Sequence, residues 1–250
     1  MKRALITGGN SGIGFGIAKA LAGAGYDLAL AGLDTPDSES AQAACAALPG
    51  ARYYRFDQAD LAAIPSLLTQ IAAAQGPLTT FVANAGVGAK ERGDMLDLPP
   101  ENFDFALNIN LRGAFFLAQA VAKEMLAEPS DHYRSLHFIT SVSAEMLSID
   151  RAEYCLSKAA AANMAKLFAL RLAPHGIGVF DLRPGIIRTP MTEKVAAKYD
   201  AALAGGLVPE GRWGLPEDIG AALLPLAEGQ MAFSTGATIP VDGALSLPRL

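Results

Sequence analysis

Ala4-Leu5-Ile6-Thr7-Gly8-Gly9-Asn10-Ser11-Gly12-Ile13-Gly14 is the stretch whose reading decides the fold. Three apolar residues run straight into a glycine-rich turn, and Ile13, Ile17, Ala20, Leu21 and Ala24 then recur at helical spacing as far as Gly25. The order is strand, glycine loop, helix. Glycines at 8, 12 and 14 let the backbone turn tightly, bring its N–H groups up to a pyrophosphate and let the helix pack closely on the strand. The helix N-terminus adds a partial positive charge at the same place. A bound nucleotide is therefore expected at Gly8, Asn10, Ser11, Gly12, Ile13 and Gly14.

The alternation continues outward from this loop. Asp27 to Ala31 reads as a second strand, with Thr35-Pro36 as cap and first-turn proline of the next helix. Arg52 to Phe56 is a third strand; a helix from Leu61 to about Ala74 ends at Gly76-Pro77, and Thr79 to Ala83 is a fourth strand. A long helix is expected from Glu101 to about Leu126, and Ser135 to Thr140 has the continuous apolar character of a fully buried strand. This pattern predicts an α/β protein: one Rossmann-type doubly wound parallel sheet with helices on both faces, residues 1–250 forming a single domain. Residues at strand exits become site candidates. Leu33 and Asp34 follow the second strand, where an acid bonds the ribose hydroxyls of NAD and an arginine accepts the 2′-phosphate of NADP. Gly32 stands at the usual place for that acid and no arginine is near, so the reading favours NAD without excluding NADP, and Asp34 is either the ribose acid or a solvated turn residue. Asp57 and Gln58 leave the third strand, Asp57 placed to accept from an adenine amino group, with Asp60 a helix cap. Asn84, Ala85 and Gly86 form a small-residue turn after the fourth.

Composition narrows the function classes. Hydrophobic residues make up 51% of 250, charged residues 18%, and the net charge is −5, without the basic cluster that phosphate neutralisation demands. A small-molecule partner is expected, and neither nucleic acid nor a membrane, since no uninterrupted apolar run approaches the roughly 20 residues of a span. Cys45 and Cys155 read as reduced thiols of a cytoplasmic chain, and His132, His137 and His175 are too scattered for a metal site.

Chemistry enters with Tyr154-Cys155-Leu156-Ser157-Lys158. The segment runs into strong helix formers with no glycine or proline before Pro174, so a phenol and an ammonium four residues apart share one helix face. A tyrosine at its ordinary pKa of ~10 is a poor acid or base at neutral pH, and a cation one turn away favours the phenolate. Asn110, among Leu107, Leu111 and Ala114, is either a satisfied core amide or a functional kink.

Taken in order, Thr7-Gly8-x-x-x-Gly12-x-Gly14, Asn84-Ala85-Gly86, Ser141, Tyr154-x-x-x-Lys158 and Arg183-Pro184-Gly185 resemble the short-chain dehydrogenase/reductase family, in its single-domain form, over essentially the whole chain. The thirteen residues from Ser141 to Tyr154 agree with that family's spacing. The resemblance implies that Tyr154 exchanges a proton with the substrate oxygen and that Lys158 lowers its pKa and bonds the nicotinamide ribose. Ser141 would hold the carbonyl, and Asn110 a relay water. It further implies that Pro184, Gly185, Ile187 and Thr189 meet the carboxamide end of the cofactor, that residues 189–213 form a substrate lid, and that the enzyme is a homotetramer.

On the substrate side two activities compete: oxidation of a polyol or sugar-like secondary alcohol, and reduction of a 3-oxoacyl thioester on an acidic carrier protein. Where carrier-using relatives tend to be basic, this chain has Glu124, Glu128, Asp131, Pro174 and His175, with Arg134 and Arg171 as exceptions, which favours a free small molecule. A nucleotide-sugar epimerase would show a different glycine spacing and an added domain. A cofactor-sensing protein without catalysis would have little use for Ser141, Tyr154, Lys158 and Asn110 together.

Overall fold

In the computed structural model, which describes residues 1–193 and 196–249, seven strands form one wholly parallel sheet in the order β3-β2-β1-β4-β5-β6-β7. Along the chain they are β1 Arg3–Thr7, β2 Asp27–Gly32, β3 Arg52–Arg55, β4 Thr80–Ala83, β5 Arg134–Ile139, β6 Ile177–Pro184 and β7 Thr238–Val241. The helices are α1 Gly12–Gly23, α2 Glu39–Ala47, α3 Ile64–Gln75, α4 Pro100–Leu107, α5 Ala114–Ala127, α6 Ala152–Leu172, α7 Pro190–Glu193, α8 Ala196–Ala204 and α9 Pro216–Ala227. The expected α/β architecture is the one observed.

Successive strand residues point to opposite faces, which splits the core in two. Leu5, Phe81 and Phe138 pack with Leu117, Val121 and Phe168 of α5 and α6. Ile6, Leu30 and Leu182 pack with Ile17, Leu21 and Leu223 of α1 and α9. Strand order reverses between β1 and β4, and a crevice opens there beyond the carboxyl ends of the strands.

Three local expectations change. Helix α2 starts at Glu39 rather than behind Thr35-Pro36, because Ser38 Oγ accepts from Ala41 N and caps it, while Thr35 O and Ser38 N close a turn. Asp60 caps a 3₁₀ turn, Leu61–Ala63, that precedes α3. The long helix spans Pro100–Ala127 but contains a π turn at Asn108–Gly113. By length and composition this 28-residue helix could span a membrane, its best 18-residue window having a mean hydropathy of 1.2. Here Leu117, Ala118, Val121 and Met125 bury it against the sheet.

Candidate active site

The glycine loop between β1 and α1 is folded against the turn after β4. Gly8 has φ +65°, a value open to glycine, and a Cβ on residue 14 would lie 2.1 Å from Gly8 O and 2.6 Å from Asn84 Nδ2. No other residue type fits at 14 without moving this wall. Asn84 Nδ2 donates to Thr7 O at 2.8 Å, while Thr7 Oγ1 accepts from the backbone N–H of Asn84 and Ala85 at 3.1 and 2.9 Å. The loop is thereby held open as a cradle of backbone N–H groups at a helix N-terminus, a shape and charge that suit a dinucleotide pyrophosphate.

A cavity of about 250 Å³ runs along this cradle. Gly8, Ser11, Gly12, Ile13, Asn84, Ala85 and Gly86 line its nucleotide end. Ser141, Tyr154, Lys158, Pro184, Gly185, Ile187 and Thr189 line the other end. The first residues of α7, within the expected lid segment, join the lining, and Val87, Ile139 and Thr140 complete it without having been named as site residues in the sequence.

Asn10, Leu33, Asp34, Asp57 and Gln58 lie outside this cavity. Asn10 Nδ2 and Ser40 Oγ donate to Asp34 Oδ2 at 2.9 and 2.6 Å, so Asp34 is a fixed carboxylate at the end of β2 rather than a loose turn residue. Leu33 is exposed beside it. The glycine at 32 has a steric cause: a Cβ there would meet Tyr53 Oη at 2.7 Å. Tyr53, from the neighbouring β3, occupies the space of the family's usual acid, and burial, then the charge of Asp34, pushes its pKa up to about 12. Asp57 is exposed and accepts from Ala59 N within its own turn. Gln58 is buried and donates to Ala85 O and Ile109 O, tying the β4 turn to the π turn.

At the catalytic end Tyr154 and Lys158 stand one turn apart on α6, with Lys158 Nζ 5.8 Å from the phenol ring centre. Lys158 is 8% exposed, and Ile139 O, at the end of β5, accepts from its Nζ at 3.0 Å. Asn110 is 4% exposed. Its Oδ1 accepts from Val87 N at 2.8 Å, and its Nδ2 donates to Val87 O at 2.9 Å and to Ser157 Oγ at 3.0 Å. Ser157 in turn donates to Tyr154 O at 2.8 Å. Both readings of Asn110 hold, for it is a satisfied amide and it sits in the π turn. Ser141 ends β5 and accepts from Ser143 N at 3.0 Å. Beside it, Arg183 is buried between Asp181, whose Oδ2 accepts from Arg183 Nε at 2.8 Å, and Glu145. The sequence had shown Arg183 only as the first residue of Arg183-Pro184-Gly185. Arg151 Nη2 donates to Ser143 Oγ at 3.0 Å, and its guanidinium lies 5.3 Å from the Tyr154 ring centre.

A Rossmann-type crevice ending in a tyrosine, a lysine and a serine defines a nicotinamide-dependent oxidoreductase acting between CH–OH and C=O groups. Residues 8–246 match the family profile described as Enoyl-(Acyl carrier protein) reductase. The chain is similar to 2-dehydro-3-deoxy-D-gluconate 5-dehydrogenase of Dickeya dadantii, 31% identical over 97% of this chain and 94% of that protein. It is 31% identical to gluconate 5-dehydrogenase of Gluconobacter oxydans, over 98% and 94%. Among solved structures it resembles 3-oxoacyl-[acyl-carrier protein] reductase from Brucella melitensis in complex with NAD, with 46% identity, a TM-score of 0.96 and coverage of 100% and 98%. The chain belongs to the short-chain dehydrogenase/reductase family, and its cofactor is NAD or NADP.

Proposed function

We propose that the protein oxidises a small hydroxylated substrate, of the polyol or sugar-derived kind, to the corresponding ketone, and that it does so with NAD. The observation that carries this reading is the convergence of Ser141, Tyr154 and Lys158 on one end of the cofactor crevice, with Asn110 bracing them from behind. When bound, the nicotinamide supplies or accepts the hydride. Ser141 Oγ, at the end of β5, offers a hydrogen bond to the substrate oxygen and sets it beside Tyr154. Tyr154 Oη takes the alcohol proton or returns it. Lys158, held by Ile139 O, offsets the negative charge on the phenol oxygen and faces the nicotinamide ribose. Asn110 and Ser157 fix the start of α6, and so the position of Tyr154, relative to the turn at Val87.

Asp34 supports NAD over NADP: a carboxylate fixed by Asn10 and Ser40 accepts from ribose hydroxyls and repels a 2′-phosphate. The gluconate-type relatives support the substrate class. The Brucella neighbour favours a second reading, reduction of a 3-oxoacyl group on a carrier protein. Against it, the charge of Arg134, which donates to Met125 O and Glu128 O, is set among the acids Glu124, Glu128 and Asp131, and Arg171 already donates to His175. We place the enzyme in the cytoplasm as a homotetramer. Free Cys45 and Cys155 support the compartment, and exposed Phe116, Leu156, Leu167 and Leu170 on α5 and α6 support the assembly.

Initial rates with NAD⁺ and NADP⁺ on polyols and sugar acids, set against NADH or NADPH oxidation by a 3-oxoacyl thioester, test the reading. Faster NAD⁺-linked alcohol oxidation supports it, and a preference for the thioester with NADPH overturns it.

A further inference from the structure

Around the turn after Ser141 and the start of α6, Arg183 takes two carboxylates and Arg92 faces a third, so that Arg151 is left without an acid partner within 4.0 Å among the described residues. Glu145, on the turn after Ser141, and buried Asp181 are both bound by Arg183. Asp150 accepts from Ser148 Oγ and lies 3.7 Å from Arg92. Among the described residues no carboxylate lies within 4.0 Å of Arg151, whose side-chain hydrogen bond goes to the neutral hydroxyl of Ser143. Arg151 Nε is buried without any partner. This cation lies beside the Tyr154 ring and is anchored to the turn that carries Ser141, so it is fixed relative to both groups that hold the reacting oxygen.

An unpaired, partly desolvated guanidinium beside the ring of Tyr154, itself a lining residue of the cavity, favours an anion, and its planar fork suits a carboxylate. Of the acids nearest in sequence, Glu145 and Asp150 face other arginines, and buried Glu153 makes no ion pair within 4.0 Å among the described residues. We propose that Arg151 is a specificity-determining residue that receives a carboxylate of the substrate, making the preferred substrate a hydroxy acid and its product an oxo acid, rather than a neutral polyol. The inference rests on the reading of the site as an alcohol–ketone oxidoreductase.

The test uses the full chain with NAD⁺, four- to six-carbon aldonates, the neutral polyol of each, and a 3-oxoacyl thioester with NADH. At least one aldonate is expected to exceed its polyol in kcat/KM. Arg151→Gln raises the KM for that aldonate about 10- to 100-fold, the effect of losing one charge-assisted pair, while kcat changes little. Arg151→Lys recovers part of the loss, and the cofactor affinity of both variants, followed by Trp213 fluorescence, stays at the wild-type value. Polyols or the thioester preferred by the wild type, or an aldonate preference that survives Arg151→Gln, overturns the inference and leaves the oxidoreductase reading standing. Absence of turnover on every substrate, with cofactor binding intact, overturns both.

Discussion

The floor of the crevice and the segment 189–213, the lid we propose over it, are built on opposite terms. On the floor, Asn110, Lys158 and Ser141 are each less than a tenth exposed, and their side chains are tied to backbone atoms of β5, of the turn after it, or of the turn after β4. In the lid, α7 and the described helix α8 bury no residue. Among its exposed fixings, Trp213 Nε1 donates to Asp200 Oδ1 at 2.7 Å, Tyr199 meets the indole edge-on, and Arg188 lies over the ring. A buried polar network is costly to alter because every lost partner leaves an orphan, whereas exposed contacts exchange with water at little cost. The groups we assign to the chemistry, Arg151 included, sit on the tied part, and the segment 189–213 is held by contacts that exchange more cheaply.

The sharpest way to break this contrast is Tyr154→Phe. It keeps the ring and its packing and removes the acid–base oxygen, so kcat is expected to fall ~10²- to 10⁴-fold with cofactor affinity retained. A variant that still turns over at near wild-type rate would deny the floor its catalytic role. Next in size is Asn110→Ala, which strips Val87 N–H and C=O of their buried partners and frees Ser157. A loss of ~2–3 kcal/mol, seen as roughly 5–10 °C in thermal midpoint, should accompany a fall in kcat.

Acid probes the core beneath the floor. His137 is fully buried between β4 and β6, stacked on Phe180, and burial alone lowers its pKa to about 3. Its folded pKa lies below the unfolded value of ~6.5, so it must stay neutral in the native state. The stability tied to that neutrality is complete above pH ~6.5 and is lost as pH falls toward 3, amounting to ~2 kcal/mol by pH 5. Denaturant titrations of wild type and His137→Val at pH 7 and pH 5 should show the acid loss shrinking in the variant, and equal losses would reject the account. The smallest effect belongs to the lid. Asp200→Ala should change the thermal midpoint by no more than ~2 °C and shift KM a few-fold with kcat nearly constant.

What the sequence made legible follows the same division. The glycine loop, the Asn84 turn and the Tyr154–Lys158 pair were readable because each is local: a strand, a turn and one helix face specify them within a few residues. Gly32 was opaque because its cause, Tyr53, is brought against it only when β3 pairs with β2. The Arg183–Asp181–Glu145 cluster was hidden for a similar reason, its members lying on β6 and on the turn after β5. The start of α2 misled because two local cap signals compete, and the hydroxyl of Ser38 outdoes the proline. The π turn left no trace in apolar periodicity, which it offsets by a single position.

That turn has a consequence for how the chain can change over time. Each α-helical residue advances about 100° around the axis, so a one-residue deletion anywhere in Asn108–Gly113 would rotate all of Ala114–Ala127 relative to Pro100–Leu107. Leu117 and Val121 could no longer meet the sheet while Asn110 meets Val87 and Ser157. The helix can exchange its exposed side chains freely but cannot change its length. In a library of single-residue deletions this segment should be among the least tolerant of the protein, while deletions in the exposed stretch at 204–206 pass.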